Sequence, residues 1–364
     1  MFSEHISTEV MLFFILYGIT GVVPLIAAVY LLLRRGNAFA PGVTPPVRLR
    51  LWAAAFFAVS VLDHVWWCLF YIYSGDIHSV SYVAVVLLDC LGLLPTIAGT
   101  LLAMLQDRKR PVWPVFVALI PYLALGVLQI LYPDGSFTFI ATLYALSLYV
   151  LFAVYIAFAV RRYGLWLNDN YADLENKKVW LSQVVSLVFL LTFILYELIA
   201  TYVFLIYLLH VVELIFFGLL LWRVETLPQL DTIAVEQQTQ QPLDIPSNID
   251  LAKIERLLAE HCVGRQLYLQ HDLTLRQLAK TVGTNRTYIS QYFSHQNTTY
   301  NAYINDLRIH HFMRLYHEAS AAQKTIIVQQ LANASGYRSY STFSLAFKQR
   351  MGQSVTVWMR ENEQ

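Results

Sequence analysis

The sequence predicts an all-α chain: a seven-helix transmembrane bundle followed by a cytoplasmic all-helical domain with two helix-turn-helix motifs. Three observations predict it. The 364 residues are 57% apolar and only 13% charged, with a mean hydropathy of +0.50, whereas soluble domains are roughly 45–50% apolar and about 25% charged. Apolar runs long enough to cross a bilayer recur before residue 223. After residue 249 a pattern of helix, glycine turn and helix occurs twice. A single soluble domain is excluded, and so is a disordered or fibrous chain.

The formal net charge of +1 hides a division into three parts. Residues 1–222 carry 11 Lys/Arg and 12 Asp/Glu together with nearly all the long apolar runs. Residues 223–248 carry one basic and four acidic residues. Residues 249–364 carry 13 basic and 8 acidic residues and six of the ten histidines, a mildly basic, soluble composition. The three cysteines, Cys68, Cys90 and Cys262, are too few and too scattered for a disulfide framework or a zinc module.

Seven apolar runs span roughly 10–33, 51–73, 80–105, 111–132, 137–160, 179–198 and 202–222. Each is long enough to cross about 30 Å of hydrocarbon at about 1.5 Å per residue. The first run is too long for a signal-peptide core and lacks a basic flank before it, so it reads as a retained helix. Basic residues cluster in alternate loops: Arg34, Arg35, Arg48 and Arg50, then Arg108, Lys109 and Arg110, then Arg161, Arg162, Lys177 and Lys178, and finally Arg223. The loops between carry none. The positive-inside rule makes the basic side cytoplasmic. The N-terminus is then outside, and residues 223–364 are in the cytoplasm of a cell whose inner membrane the bundle spans.

Six ionisable residues fall inside the runs: Asp63, His64, Asp89, Glu197, His210 and Glu213. Charge at the bilayer centre costs about 2.5–3.5 kcal/mol on insertion scales, so such side chains face a bundle interior or a wet cavity. Counted along the helices, they share the outer half and midplane. His210 and Glu213, three apart, share a helix face. Two readings stand: a ligand- or proton-sensing pocket, or polar contacts between helices worth about 0.6 kcal/mol each. A metal site is a further option, since His and carboxylate side chains are ligands, but no span carries His-x-x-x-His or a similar spacing, so no metal site and no cofactor are expected from the sequence.

Residues 223–248, with Pro228, Pro242, Pro246 and a Gln-rich stretch, read as a flexible linker without heptads. Beyond it, Leu275, Leu278, Ala279, Gly283, Ile289 and Phe293 are matched by Val328, Leu331, Ala332, Gly336, Phe343 and Phe347, at an offset of 53 from Leu278 to Leu331 and 54 from Phe293 to Phe347. Gly283 and Gly336 suit turns with positive φ, and helix, turn, helix is the resulting pattern. Between the copies, the apolar positions of Thr299–Ser320 have helical spacing.

The stretch from about 250 to 360 resembles the DNA-binding domain of AraC/XylS-type transcription regulators. The residues that carry the likeness are Leu275-x-x-Leu278-Ala279, Asn285 to Phe293, Tyr303-Ile304-x-x-Leu307-Arg308, Leu331-Ala332-x-x-x-Gly336-Tyr337, Ser341-x-Phe343-x-x-Ala346-Phe347-Lys348 and Gly352-x-Ser354. Three positions depart from the pattern: Tyr337, Val355 and the Trp358-Met359 pair. The resemblance implies that the second helix of each copy enters the major groove. With Ile289, Phe293, Phe343 and Phe347 facing inward, Arg286, Thr287, Ser290, Gln291 and Ser294 face outward in the first copy, and Tyr340, Ser341, Ser344, Leu345 and Lys348 in the second. Gln suits adenine and Leu345 a thymine methyl; Arg286, Lys348, Arg338, Arg350 and Lys280 suit phosphates. The resemblance gives Arg308 a bracing role. His310, His311 and His317 read as solvated connector surface.

The expected function is a membrane-embedded, one-component, sequence-specific transcription regulator, not an enzyme. Its partners are expected to be double-stranded DNA, the lipid bilayer, RNA polymerase, an external small-molecule or periplasmic signal, and a second copy of the chain. The alternatives are a transporter or intramembrane enzyme with an autoregulatory DNA-binding tail, and a bundle that only tethers the reader.

Overall fold

The computed structural model describes residues 8–76, 79–132, 137–199, 203–230 and 251–362, except the side chains of 8–10, 193–199 and 203–206. Among the described residues the regular structure is helical, with one isolated antiparallel bridge between Tyr171 and Thr274. The chain divides into two units, Met1–Arg161 with Val179–Gln237, and Arg162–Lys178 with Gln238–Gln364.

The first unit is built from α1 (Thr8–Leu33), α2 (Val47–Tyr73), α3 (Val80–Met104), α4 (Trp113–Leu131), α5 (Thr138–Asn170) up to Arg161, α6 (Trp180–Ile199) and α7 (Val203–Thr226). Helices α1 to α5 and α7 are long and apolar enough to cross a membrane, and α6 adds the shorter apolar stretch Trp180–Thr192 among the described residues. Their outward faces are apolar, with Phe14, Ile26, Leu33, Leu151 and Phe158 exposed. In water such a surface would be an aggregation hazard; in lipid it is the required one, because helices already satisfy their backbone groups. Inside, α2 lies against α1 and α3, and both α1 and α2 meet α7. Phe189 of α6 stacks on Phe216 of α7 with ring centroids 4.0 Å apart. A Cβ at Gly99 would overlap the Trp52 ring, so glycine is what lets α3 approach α2.

The expected linker boundary at residue 223 moves later. Helix α7 continues to Thr226, and Glu225 is fully buried, accepting from the Arg34 guanidinium and from Tyr30 Oη at 3.1 Å. Gln229 N donates to Thr44 O at 2.8 Å, Leu230 N donates to Gln106 Oε1 at 2.8 Å, and Gln106 Nε2 donates to Pro228 O at 3.0 Å. Buried polar groups must be paired, and these pairs hold residues 223–230 on the bundle. The rest of the linker, 231–248, lies outside the described residues.

The second unit contains α8 (Leu251–Leu258), α9 (Leu275–Val282), α10 (Arg286–His295), α11 (Tyr300–Ala321), α12 (Val328–Ala334), α13 (Tyr340–Met351) and α14 (Val355–Asn362). It has two cores. Leu275, Leu278, Ala279, Ile289 and Phe293 fill the first with Tyr300 and Ile304 of α11. Ala332, Phe343 and Phe347 fill the second with Ile309, Phe312 and Tyr316 of the same helix. The departures at Val355 and Trp358 are accommodated there: both are buried, and the Trp358 ring packs on Phe347 and Tyr316. Cys262 is buried in the first core, and burial pushes its thiol up to about 12, which leaves it protonated and inert.

Candidate DNA interface and intramembrane polar cluster

Each repeat is assembled by local rules. Thr274 caps α9 in a capping box, accepting from Gln277 N at 3.2 Å while Gln277 Oε1 accepts from Thr274 N at 2.8 Å. Gly283 ends α9 at φ 75°, and Asn285 caps α10 by accepting from Tyr288 N at 2.9 Å. In the second copy Gly336 makes the turn at φ 90°, and Ser339 caps α13, accepting from Thr342 N at 3.3 Å. The second glycine is also a packing requirement. A Cβ there would lie 2.9 Å from the Leu269 backbone and 3.0 Å from Arg308 Nε.

Helix α11 has 22 residues and is therefore about 33 Å long. That is close to the roughly 34–36 Å between successive major-groove faces of B-DNA. Arg308, near its middle, is 1% exposed. It donates from Nε to Tyr268 O at 2.7 Å and from Nη2 to Gln270 O at 2.8 Å, and lies over the Tyr337 ring. It braces the two cores and faces no solvent.

On α10, Thr287 and Ser294 are exposed, while Arg286, Ser290 and Gln291 are half-buried. Arg286 Nε and Gln291 Oε1 are buried without a hydrogen-bond partner among the described residues. Burial lowers the Arg286 pKa, and the neighbouring Tyr171 and Asp169 side chains oppose that shift. On α13, Tyr340, Ser341, Leu345 and Lys348 are exposed and Ser344 is half-buried. Lys280 is exposed as well. Arg338 pairs with Asp272 at 2.7 Å and Arg350 with Asp306 at 2.5 Å, both largely exposed cations. Exposed pairs of this kind are worth about 0–1 kcal/mol. His310 and His317 are exposed, but His311 is not solvated surface. It is buried, and its Nδ1 accepts from Tyr268 Oη at 3.1 Å and from Arg314 Nη2 at 3.0 Å.

Sequence reasoning missed the segment 162–178, which it read only as a basic loop. The segment packs into the second unit. Ala172 is 1% exposed within the first core, and its N donates to Leu273 O at 3.2 Å. Asn301 Nδ2 donates to Tyr171 O at 3.1 Å and to Ala172 O at 2.7 Å. Lys177 reaches Asp272 at 3.5 Å. Glu175 Oε2 accepts from Ser339 Oγ at 2.7 Å and Thr342 Oγ1 at 2.9 Å, so a carboxylate sits at the first turn of α13. The acidic run Asp169, Asp173 and Glu175 between basic flanks was the available signal.

In the first unit, His64 of α2 meets His210 and Glu213 of α7. His64 Nε2 is 2.9 Å from Thr20 Oγ1 of α1, and His210 Nδ1 is 3.4 Å from the same oxygen. His210 Nδ1 is 3.5 Å from Glu213 Oε2. Asp63 Oδ2 lies 3.7 Å from His64 Nδ1. Asp89 accepts from Trp66 Nε1 at 2.5 Å and from Trp67 Nε1 at 2.7 Å. Five of the six predicted residues therefore fall in adjoining sets; the side chain of Glu197, on α6, lies outside the described residues. Thr20, fully buried, and Tyr17, which donates to His64 O at 2.6 Å, belong to the cluster and were missed, since uncharged residues in an apolar run carry no sequence signal.

Residues 278–361 match the family model described as a helix-turn-helix domain. The family model covers that segment and not the apolar helices before it. No curated protein and no solved structure matches the chain.

Proposed function

We propose that this chain is a membrane-embedded, one-component transcription regulator whose cytoplasmic C-terminal unit reads duplex DNA and whose bundle senses an external signal. The observation that carries the reading is the tandem pair α9–α10 and α12–α13, spaced by α11 at about one turn of B-DNA, on the same chain as the apolar helices. Thr287, Ser290, Gln291 and Ser294 of α10, and Tyr340, Ser341, Ser344 and Leu345 of α13, read base edges, while Arg286 and Lys348 contact phosphates. The alternation of basic loops supports an N-terminus outside.

Control runs through the segment 162–178. Glu175 holds the hydroxyls at the first turn of α13, a position where a helix end attracts phosphate. Asp169, on the same segment, is near enough to act electrostatically on Arg286. The acidic segment thus stands in for DNA phosphates at both reading helices, and a signal that displaces it frees them.

The test is selection of bound sequences from random duplex DNA by the full-length protein in nanodiscs. A defined motif with two half-sites one helical turn apart is the expected result. Binding equal at all sequences overturns the regulator reading. Alanine at Asp63, His64, Asp89, His210 and Glu213 with unchanged reporter output and normal membrane levels would reduce the bundle to a tether.

A further inference from the structure

We propose that His64, His210 and Glu213 bind a divalent transition-metal ion of the zinc class within the bundle. The inference rests on the reading of the bundle as the sensing half and names the chemistry that it senses. One ligand atom from each of the three residues lies within 4.8 Å of the others. Two imidazoles and one carboxylate are a familiar donor set for such ions, with a fourth position left open.

The tautomer of His64 is fixed by its surroundings. Its Nδ1 lies 2.8 Å from Ser60 O. A carbonyl oxygen only accepts, so Nδ1 carries the proton and Nε2 keeps its lone pair. That lone pair points to the side where Thr20 and His210 converge. A ring nitrogen tied to a carbonyl while the other faces the cluster is the arrangement that orients a metal-binding histidine. Asp63 stands behind the same Nδ1 at 3.7 Å.

The distances suit closure on an ion. Tetrahedral zinc with bonds of about 2.0–2.1 Å separates its ligand atoms by about 3.3 Å. His210 Nδ1 and Glu213 Oε2 are already 3.5 Å apart. Charge argues the same way. The Glu213 carboxylate sits in an apolar bundle beside imidazoles, where an unpaired charge is costly. A divalent cation neutralises Glu213. The Thr20 hydroxyl is placed to bond a water or an incoming ligand at the fourth position.

Three helices contribute: α1 through Thr20, α2 through His64, and α7 through His210 and Glu213. Binding therefore draws α2 and α7 together, which is a differential interaction between two packings of the bundle.

The experiment measures zinc bound by the purified full-length protein in nanodiscs after metal stripping, with cobalt(II) absorption as a second probe of imidazole ligation. About one zinc per chain is expected. His64→Gln, His210→Gln and Glu213→Gln should each weaken binding at least about tenfold, and His317→Gln, exposed in the second unit, should leave it unchanged. Thermal unfolding without metal separates lost ligation from lost folding, and Glu213→Asp is the milder variant should any of these fail to fold. No zinc above the stripped background, or zinc retained by all three variants, overturns the site. Zinc that binds but leaves DNA affinity unchanged keeps the site and overturns the sensing reading.

Discussion

His311 shows how one buried side chain couples the reader to pH. Both of its described donors, Tyr268 Oη and Arg314 Nη2, point at Nδ1, so the folded domain holds a neutral ring. Burial first, and Arg314 second, lower its pKa from the ordinary 6.5. The unfolded chain therefore binds the proton more readily than the folded one. The resulting stability is fully present above about pH 6.5 and declines as pH falls through that value toward the lower folded pKa. Thermal unfolding of the C-terminal unit is expected to shift down on mild acidification, and His311→Gln should flatten that dependence. Two further residues separate structure from recognition. Gly336→Ala forces a Cβ against the Leu269 backbone in a left-handed turn and should destabilise by about 1–3 kcal/mol. Gln291→Ala should alter base preference by about 1–3 kcal/mol at one position, whereas Lys348→Ala should weaken all sequences alike and reduce the salt slope by about 0.9. Equal loss at every sequence for Gln291→Ala would defeat its assignment as a base reader.

At the scale of elements, α5 is the informative one. Its 33 residues make about 50 Å of helix, well beyond what a bilayer core of about 30 Å requires. The excess, from Arg162, belongs to the DNA-binding unit. There Glu175 lies at the end of α13, where a helix N-terminus favours a negative charge by about 0.3–1 kcal/mol. Glu175→Gln is expected to tighten DNA binding about two- to five-fold, measured by anisotropy with the full-length protein. Ala172→Trp, which has no room in the first core, should release the whole segment and tighten binding further. Unaltered or weaker binding in both variants would make the segment a structural strap only.

For the whole molecule, orientation carries the most weight, because the reader must share a compartment with DNA. A reporter fused after Gln364 is expected to be active only in the cytoplasm, and protease added outside intact cells should spare residues 251–362. Activity outside, or digestion from outside, would remove the basis for regulation whatever the DNA affinity of the isolated reader.

The sequence by itself determined the helices and their classes. Runs of apolar residues choose lipid through composition alone, and the paired spacing of Leu278 with Leu331 and Phe293 with Phe347 writes each helix-turn-helix within some 20 residues. Such signals are local, so they survive in a linear reading. It also marked Asp63, His64, Asp89, His210 and Glu213 as out of place in lipid, but not how they combine. Only tertiary structure brought His64 beside His210 from 146 positions away, gave Thr20 a place between them, buried His311, and seated Ala172 among the core residues of the DNA-binding unit. Those relations depend on which helices pack together, and contact between distant segments leaves no periodicity in the chain.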